Sequence, residues 1–162
     1  MEVDTSIKKT AILGFGNPVR ADDGVGIFVI DRLKEHLAEN EEISIFDMGT
    51  AAFEVLFNLK GHQKIILVDA VMNAEQPVGT VFKLPASEVE AQIEDDPLVF
   101  LHSLKWHQAL SYARKMLREE YPEEIDVYLI AIEDTRFNVG MSEAAKEGGL
   151  KAVNHILKAL NL

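Results

Sequence analysis

Apolar and polar positions along this chain fall into blocks whose period changes from one block to the next. Thr10-Ala11-Ile12-Leu13-Gly14-Phe15-Gly16 is a short apolar run closed by glycine, which predicts a buried strand entering a loop. From near Gly24 the period lengthens. Val25, Phe28, Val29, Leu33 and Leu37 recur at three- and four-residue steps, as on one face of a helix. Ile43-Ser44-Ile45-Phe46-Asp47 predicts a second strand, and Thr50 is placed to cap a short helix through Leu59 that Gly61 would end. Lys64 to Asp69 holds Ile65-Ile66-Leu67-Val68, an unbroken apolar run suited to a parallel strand covered on both faces.

Gly79 to Leu84 predicts a fourth strand, at an edge because it is short and follows Pro77. Ala86 to Phe100 is acidic and irregular, and predicts a loop with a helical turn. Trp106, Ala109, Leu110, Ala113, Met116 and Leu117 then mark a helix of roughly four turns. Ile125 to Ile132 is the last predicted strand, and Asp134 to Gly140 a loop. Ser142 would cap a final helix carrying Ala145, Leu150, Val153, Ile156, Leu157 and Leu160. Strands alternating with helices imply right-handed crossovers. The expected fold is α/β: a three-layer α/β/α sandwich with a mostly parallel, twisted central sheet of about five strands, residues 1–162 forming a single domain.

Composition narrows the function. A net charge of −11 argues against a nucleic-acid surface, which needs a basic footprint, and against docking on an anionic membrane. With no cysteine there is no disulfide framework, thiolate metal site or cysteine nucleophile. The start of the chain lacks a signal-peptide pattern, and its apolar runs are too short to span a bilayer, so a cytoplasmic protein without membrane insertion is expected. The oligomeric state is left open.

In open α/β sheets, ligands bind beyond the carboxyl ends of the strands. Four segments carry polar groups there: Gly14 to Gly24, Asp47-Met48-Gly49-Thr50, Asp69, and His102 before the long amphipathic helix. Asp23, Asp69 and His102 would offer two carboxylates and an imidazole, a set that suits nickel, zinc or manganese and leaves coordination positions open. A helix N-terminus near His102 would disfavour its protonated form and keep the ring's lone pair free. Taken singly, each residue has a plainer role: an aspartate at a strand end is usually a turn former, and Asp22 suits a helix N-cap. Their convergence on one edge is what points to chemistry.

Other chemistries fit less well. A dinucleotide loop with Asp47 binding ribose fails because Val19 stands where the third glycine belongs, and Pro18 removes an amide donor. No phosphate-binding loop, His-Glu-x-x-His or Gly-x-Ser-x-Gly occurs. An aspartic dyad of Asp23 and Asp69 remains open, as does a non-enzymatic binding domain.

The set Leu13-Gly14-Phe15-Gly16-Asn17, Asp22-Asp23-Gly24-Val25-Gly26, Asp47-Met48-Gly49-Thr50, Leu67-Val68-Asp69-Ala70, Gly79-Thr80 and His102, with Leu104 and Leu110 after it, resembles the hydrogenase maturation endopeptidases. These enzymes remove a C-terminal extension from the large subunit of nickel–iron hydrogenases. The order and approximate spacing hold from about Ala11 to Gly140. The resemblance implies that Asp23, Asp69 and His102 contact nickel already installed in the precursor, and that they are the catalytic and metal-binding set. Nickel is then supplied by the substrate, the resting protein holds none tightly, and the partner is a nickel–iron hydrogenase large-subunit precursor. Asn17, Asp47 and Thr50 would line the substrate groove.

The chain departs from the family pattern at two positions. Some relatives carry glutamate at the position of Asp23, so the shorter side chain brings the loop closer and leaves Asp22 as an alternative ligand. Glycine is common at the position of Met48, which here would narrow the groove. The resemblance leaves open which carboxylate is the base, and a metal-independent α/β hydrolase or nucleotide-binding domain is the alternative reading.

Overall fold

The computed structural model describes residues 9–17, 21–51, 54–72, 74–89, 106–133 and 140–162. Five strands, β1 (Thr10–Phe15), β2 (Ile43–Gly49), β3 (Lys64–Met72), β4 (Val81–Pro85) and β5 (Glu124–Ile132), form one sheet in the order β2-β1-β3-β5-β4. Every pairing is parallel except β4 with β5. Helices α1 (Val25–Leu37), α2 (Val55–Leu59), α3 (Trp106–Leu117) and α4 (Glu143–Ala159) connect and cover the strands. Among the described residues no helix is long and apolar enough to cross a membrane.

Strand periodicity divides the core into two. Ala11, Leu13, Ile65, Leu67, Val127 and Leu129 face one way and meet Val55 and Leu59 of α2 and Trp106, Leu110 and Ala113 of α3. Ile12, Ile66, Val68, Tyr128 and Ile130 face the other way, against Ile30 and Leu33 of α1 and Ala152 and Ile156 of α4. Both faces of β1 are therefore buried along its whole length. That is why its sequence reads as an unbroken apolar run rather than an alternation. The three-layer sandwich expected from the sequence is the one observed.

Element ends differ from expectation where a polar residue looked like a stop. Strand β3 runs past Asp69 to Met72, and β2 runs past Asp47 to Gly49. β4 is shifted to Val81–Pro85 and lies at an edge as expected. Thr50 does not cap α2. The helix begins five residues later, after Glu54 and with no side-chain cap, because a turn closed by Ala51 N–H on the Met48 carbonyl intervenes. Met116 on α3 and Leu150 on α4, both among the apolar positions that marked their helices, are 66% and 43% exposed. Helical spacing places them near the apolar stripe, but among the described residues no neighbouring layer reaches them.

α1 seats tightly on the sheet because Gly26 has no side chain. A Cβ there would collide with the Phe15 carbonyl and stand 3.1 Å from that of Val68, both backbone atoms that cannot swing aside. Gly26→Ala is expected to cost about 3 kcal/mol by lifting α1 off β1 and β3. The urea unfolding midpoint checks this: an unchanged midpoint would mean that α1 has slack over the sheet.

Candidate functional site

The chain leaves the central strands in opposite directions. From β1 it crosses through α1 to β2 on one flank, whereas β3 pairs on its far side with β5. The switch point therefore falls between the carboxyl ends of β1 and β3, the place where such sheets bind ligands. The last β1–β3 pair is Gly14 with Val68, and Asp69 is the next residue of β3. It therefore stands where β1 has turned away into its loop.

By alternation Asp69 belongs to the face that carries Ile65, Leu67 and Val71, so its carboxyl enters the apolar layer beneath α3. Two donors meet it. Oδ1 accepts from the Ala70 amide at 2.8 Å, and Oδ2 accepts from the indole Nε1–H of Trp106 at 3.0 Å. Trp106 is 1% exposed and stacks on Phe15, with ring centroids 6.3 Å apart. Asp69 keeps a partial opening at the sheet edge, but the surrounding protein desolvates its carboxylate. Burial, with a smaller push from the Asp23 charge, outweighs both hydrogen bonds and raises its pKa to about 7.

Asp23 lies in a short 3-10 turn, Ala21–Gly24, that closes the loop after β1. It is half-buried, and its Oδ2 accepts from the Asn17 amide at 3.2 Å. The loop folds back this closely because Gly16, at φ 149°, occupies a region where a side chain would strike the Asp23 carbonyl. Gly16 also donates to the Gly49 carbonyl at 2.9 Å, which ties the ends of β1 and β2 together.

The neighbouring Asp22 has a different role. It is 6% exposed, and its two oxygens accept from the Ser142 amide at 2.6 Å and the Ser142 hydroxyl at 2.8 Å. Ser142 caps α4 as expected, its Oγ accepting from Ala145 N–H at 3.1 Å. Asp22 is not the N-cap of α1; Gly24 holds that position without a side-chain bond.

The remaining sequence candidates divide as follows. Asn17 sits beside Asp23 and braces it through its backbone amide. Asp47 and Thr50 are exposed at the end of β2, where Asp47 Oδ1 accepts from Gly49 N–H at 2.9 Å. Met48 does not narrow a groove. It is 6% exposed, packed in the core with Val55 and Leu59, and its sulfur meets Asn58 Nδ2 at 3.4 Å. His102 lies outside the described residues. Among the described residues no three histidine, cysteine, aspartate or glutamate side chains converge to hold a metal. Spacing placed Trp106 among the apolar positions of its helix but gave no sign of its N–H contact, nor of the link from Asp22 to Ser142.

The two carboxyls can act in either of two ways. Asp69, its pKa raised to about 7, can take up or release a proton near neutrality, and a cation near both carboxylates would relieve the repulsion that the Asp23 charge exerts on it.

A family model described as HycI, hydrogenase maturation protease, matches residues 27–159. The match takes in Asp69 and His102 and begins after Asp23. The hydrogenase 2 maturation protease of Escherichia coli strain K12 is 24% identical over 152 residues, covering 92% of this chain and 88% of that protein. Two solved structures share the fold. The hydrogenase maturating endopeptidase HybD of E. coli superposes with a TM-score of 0.75 at 22% identity, covering 94% of this chain and 92% of that one. The nickel–iron hydrogenase maturation protease HybD of Thermococcus kodakarensis gives 0.74 at 20% identity, covering 94% and 99%.

Proposed function

Because the chain belongs to the hydrogenase maturation protease family, we propose that it removes a C-terminal extension from a nickel–iron hydrogenase large-subunit precursor after nickel has been inserted. Membership makes it a peptidase of hydrogenase maturation. The observation that carries the finer reading is the pair Asp23 and Asp69 at the carboxyl ends of β1 and β3, near enough for the Asp23 charge to act on Asp69, with Asp69 oriented by two donors.

In this reading Asp23, Asp69 and His102 meet the nickel that the precursor brings, so the resting protein needs no metal of its own. His102 precedes Trp106 by four positions in the chain, and Trp106 touches Asp69. Nickel would supply Lewis acidity at the scissile carbonyl or its water, and would mark the precursor as complete. One carboxylate takes the proton of the attacking water and returns it to the departing amine. Asn17, Asp47 and Thr50 line the path of the substrate tail, and the reaction takes place in the cytoplasm. In a second reading Asp23 and Asp69 hydrolyse peptides as an aspartic dyad without metal, the Asp23 charge being one of the causes that raise the Asp69 pKa.

The test is to incubate the protein with the large-subunit precursor of its own organism, prepared with and without nickel, and to follow the precursor's mass. Loss of a short C-terminal peptide from the nickel-loaded form alone supports the first reading. Equal cleavage of both forms supports the dyad. Resistance of every such precursor in the organism would overturn both.

A further inference from the structure

Trp106 lies in the core beside Ala109, Leu110 and Ala113, where an apolar side chain would serve packing equally well. It differs from these in its indole N–H, which points at Asp69 Oδ2. The ring is fixed by burial and by stacking on Phe15, the last residue of β1. Asp69 is thus bounded on both oxygens, by the Ala70 amide of its own strand and by the first residue of α3. Turning the carboxyl would leave the Trp106 N–H unpaired in a dry layer. Each oxygen retains a second lone pair for a further partner.

We propose that Trp106 is a positioning residue, whose indole N–H fixes the Asp69 carboxyl so that its remaining lone pairs face the switch point in one orientation. The inference rests on the proposed role of Asp69. It adds that α3, through Trp106, sets the geometry of a group on β3. An orienting donor behind a reacting carboxylate is a recurrent arrangement, and its loss typically lowers metal affinity or activity 10–100-fold.

The chain contains one tryptophan, so replacing tryptophan biosynthetically alters Trp106 alone. β-(3-Benzothienyl)alanine exchanges the N–H for sulfur and keeps the shape of the ring, where Trp106→Phe would leave a hole. The expected result is a fall in kcat on nickel-loaded precursor of about 10–100-fold with KM nearly unchanged. An unchanged kcat in the folded analogue protein would overturn the proposal.

A second measurement does not depend on the protease reading. In 13C-labelled protein the Asp69 carboxyl resonance, assigned by its loss in Asp69→Asn, should shift when the analogue replaces Trp106. An unmoved resonance would show that the indole does not hold the carboxyl, and the proposal falls. A shifted resonance in a protein that cleaves no precursor would keep the positioning and sink the proposed function.

Discussion

Asp69→Asn is expected to abolish precursor processing and, independently, to flatten the dependence of stability on pH. The second effect follows from linkage. The Asp69 carboxyl titrates near pH 7 in the folded protein and near 3.8 when exposed, so folding takes up a proton between these values. The native state is favoured by its protonated form. The stabilisation is fully present below about pH 4 and is lost as pH rises through about 7, amounting to at most about 4 kcal/mol. Asparagine cannot titrate and removes that slope. Urea unfolding at pH 5 and pH 8 measures the difference, and equal slopes in the two proteins would show that Asp69 is not desolvated. His102→Ala, measured alongside, should lose processing while keeping the slope.

The adjacent aspartates should separate cleanly. Asp22→Ala removes two charge-assisted hydrogen bonds to Ser142 in a buried setting, for a loss of about 3 kcal/mol. For a chain of this size that lowers the melting temperature by about 10 °C. Asp23→Ala breaks one longer bond at a half-buried site, so its stability should stay within about 1 kcal/mol of the natural protein. It should nevertheless lose processing. Calorimetry and the mass assay together decide the ligand. The reverse outcome, with Asp22→Ala stable but inactive, would transfer the metal-facing role to Asp22.

The sheet was legible because its central strands are buried on both faces, which leaves little choice of residue in Ile12-Leu13 or Ile65-Ile66-Leu67-Val68. The switch point followed from the alternation of strands and helices, and with it the nearness of Asp23 to Asp69 that its charge effect reflects. Strand ends were misread because a polar residue resembles a terminus. Asp69 continues inside β3 because two donors satisfy it there. Those donors were not legible. Spacing marks Trp106 as an apolar position of its helix and says nothing about where its N–H points. Nor does any local pattern join Asp22 to Ser142, which are 120 positions apart. Burial on outer faces was equally hidden: Phe57, Tyr112 and Met116 are 80%, 63% and 66% exposed on α2 and α3, where none of the described residues forms a further layer.

The bond between Asp22 and Ser142 also bears on when the enzyme can begin to work. β1 and the loop behind it are made early, and β1 can pair with β2 and β3 while the rest of the chain is still being synthesised. The anchor of that loop is the first turn of the last helix. A nascent chain on the ribosome therefore carries Asp22 and Asp23 on a loop that lacks this anchor until α4 has emerged and docked. Loss of the final segment by proteolysis would remove the same anchor, together with the Ala152 and Ile156 cover of one sheet face.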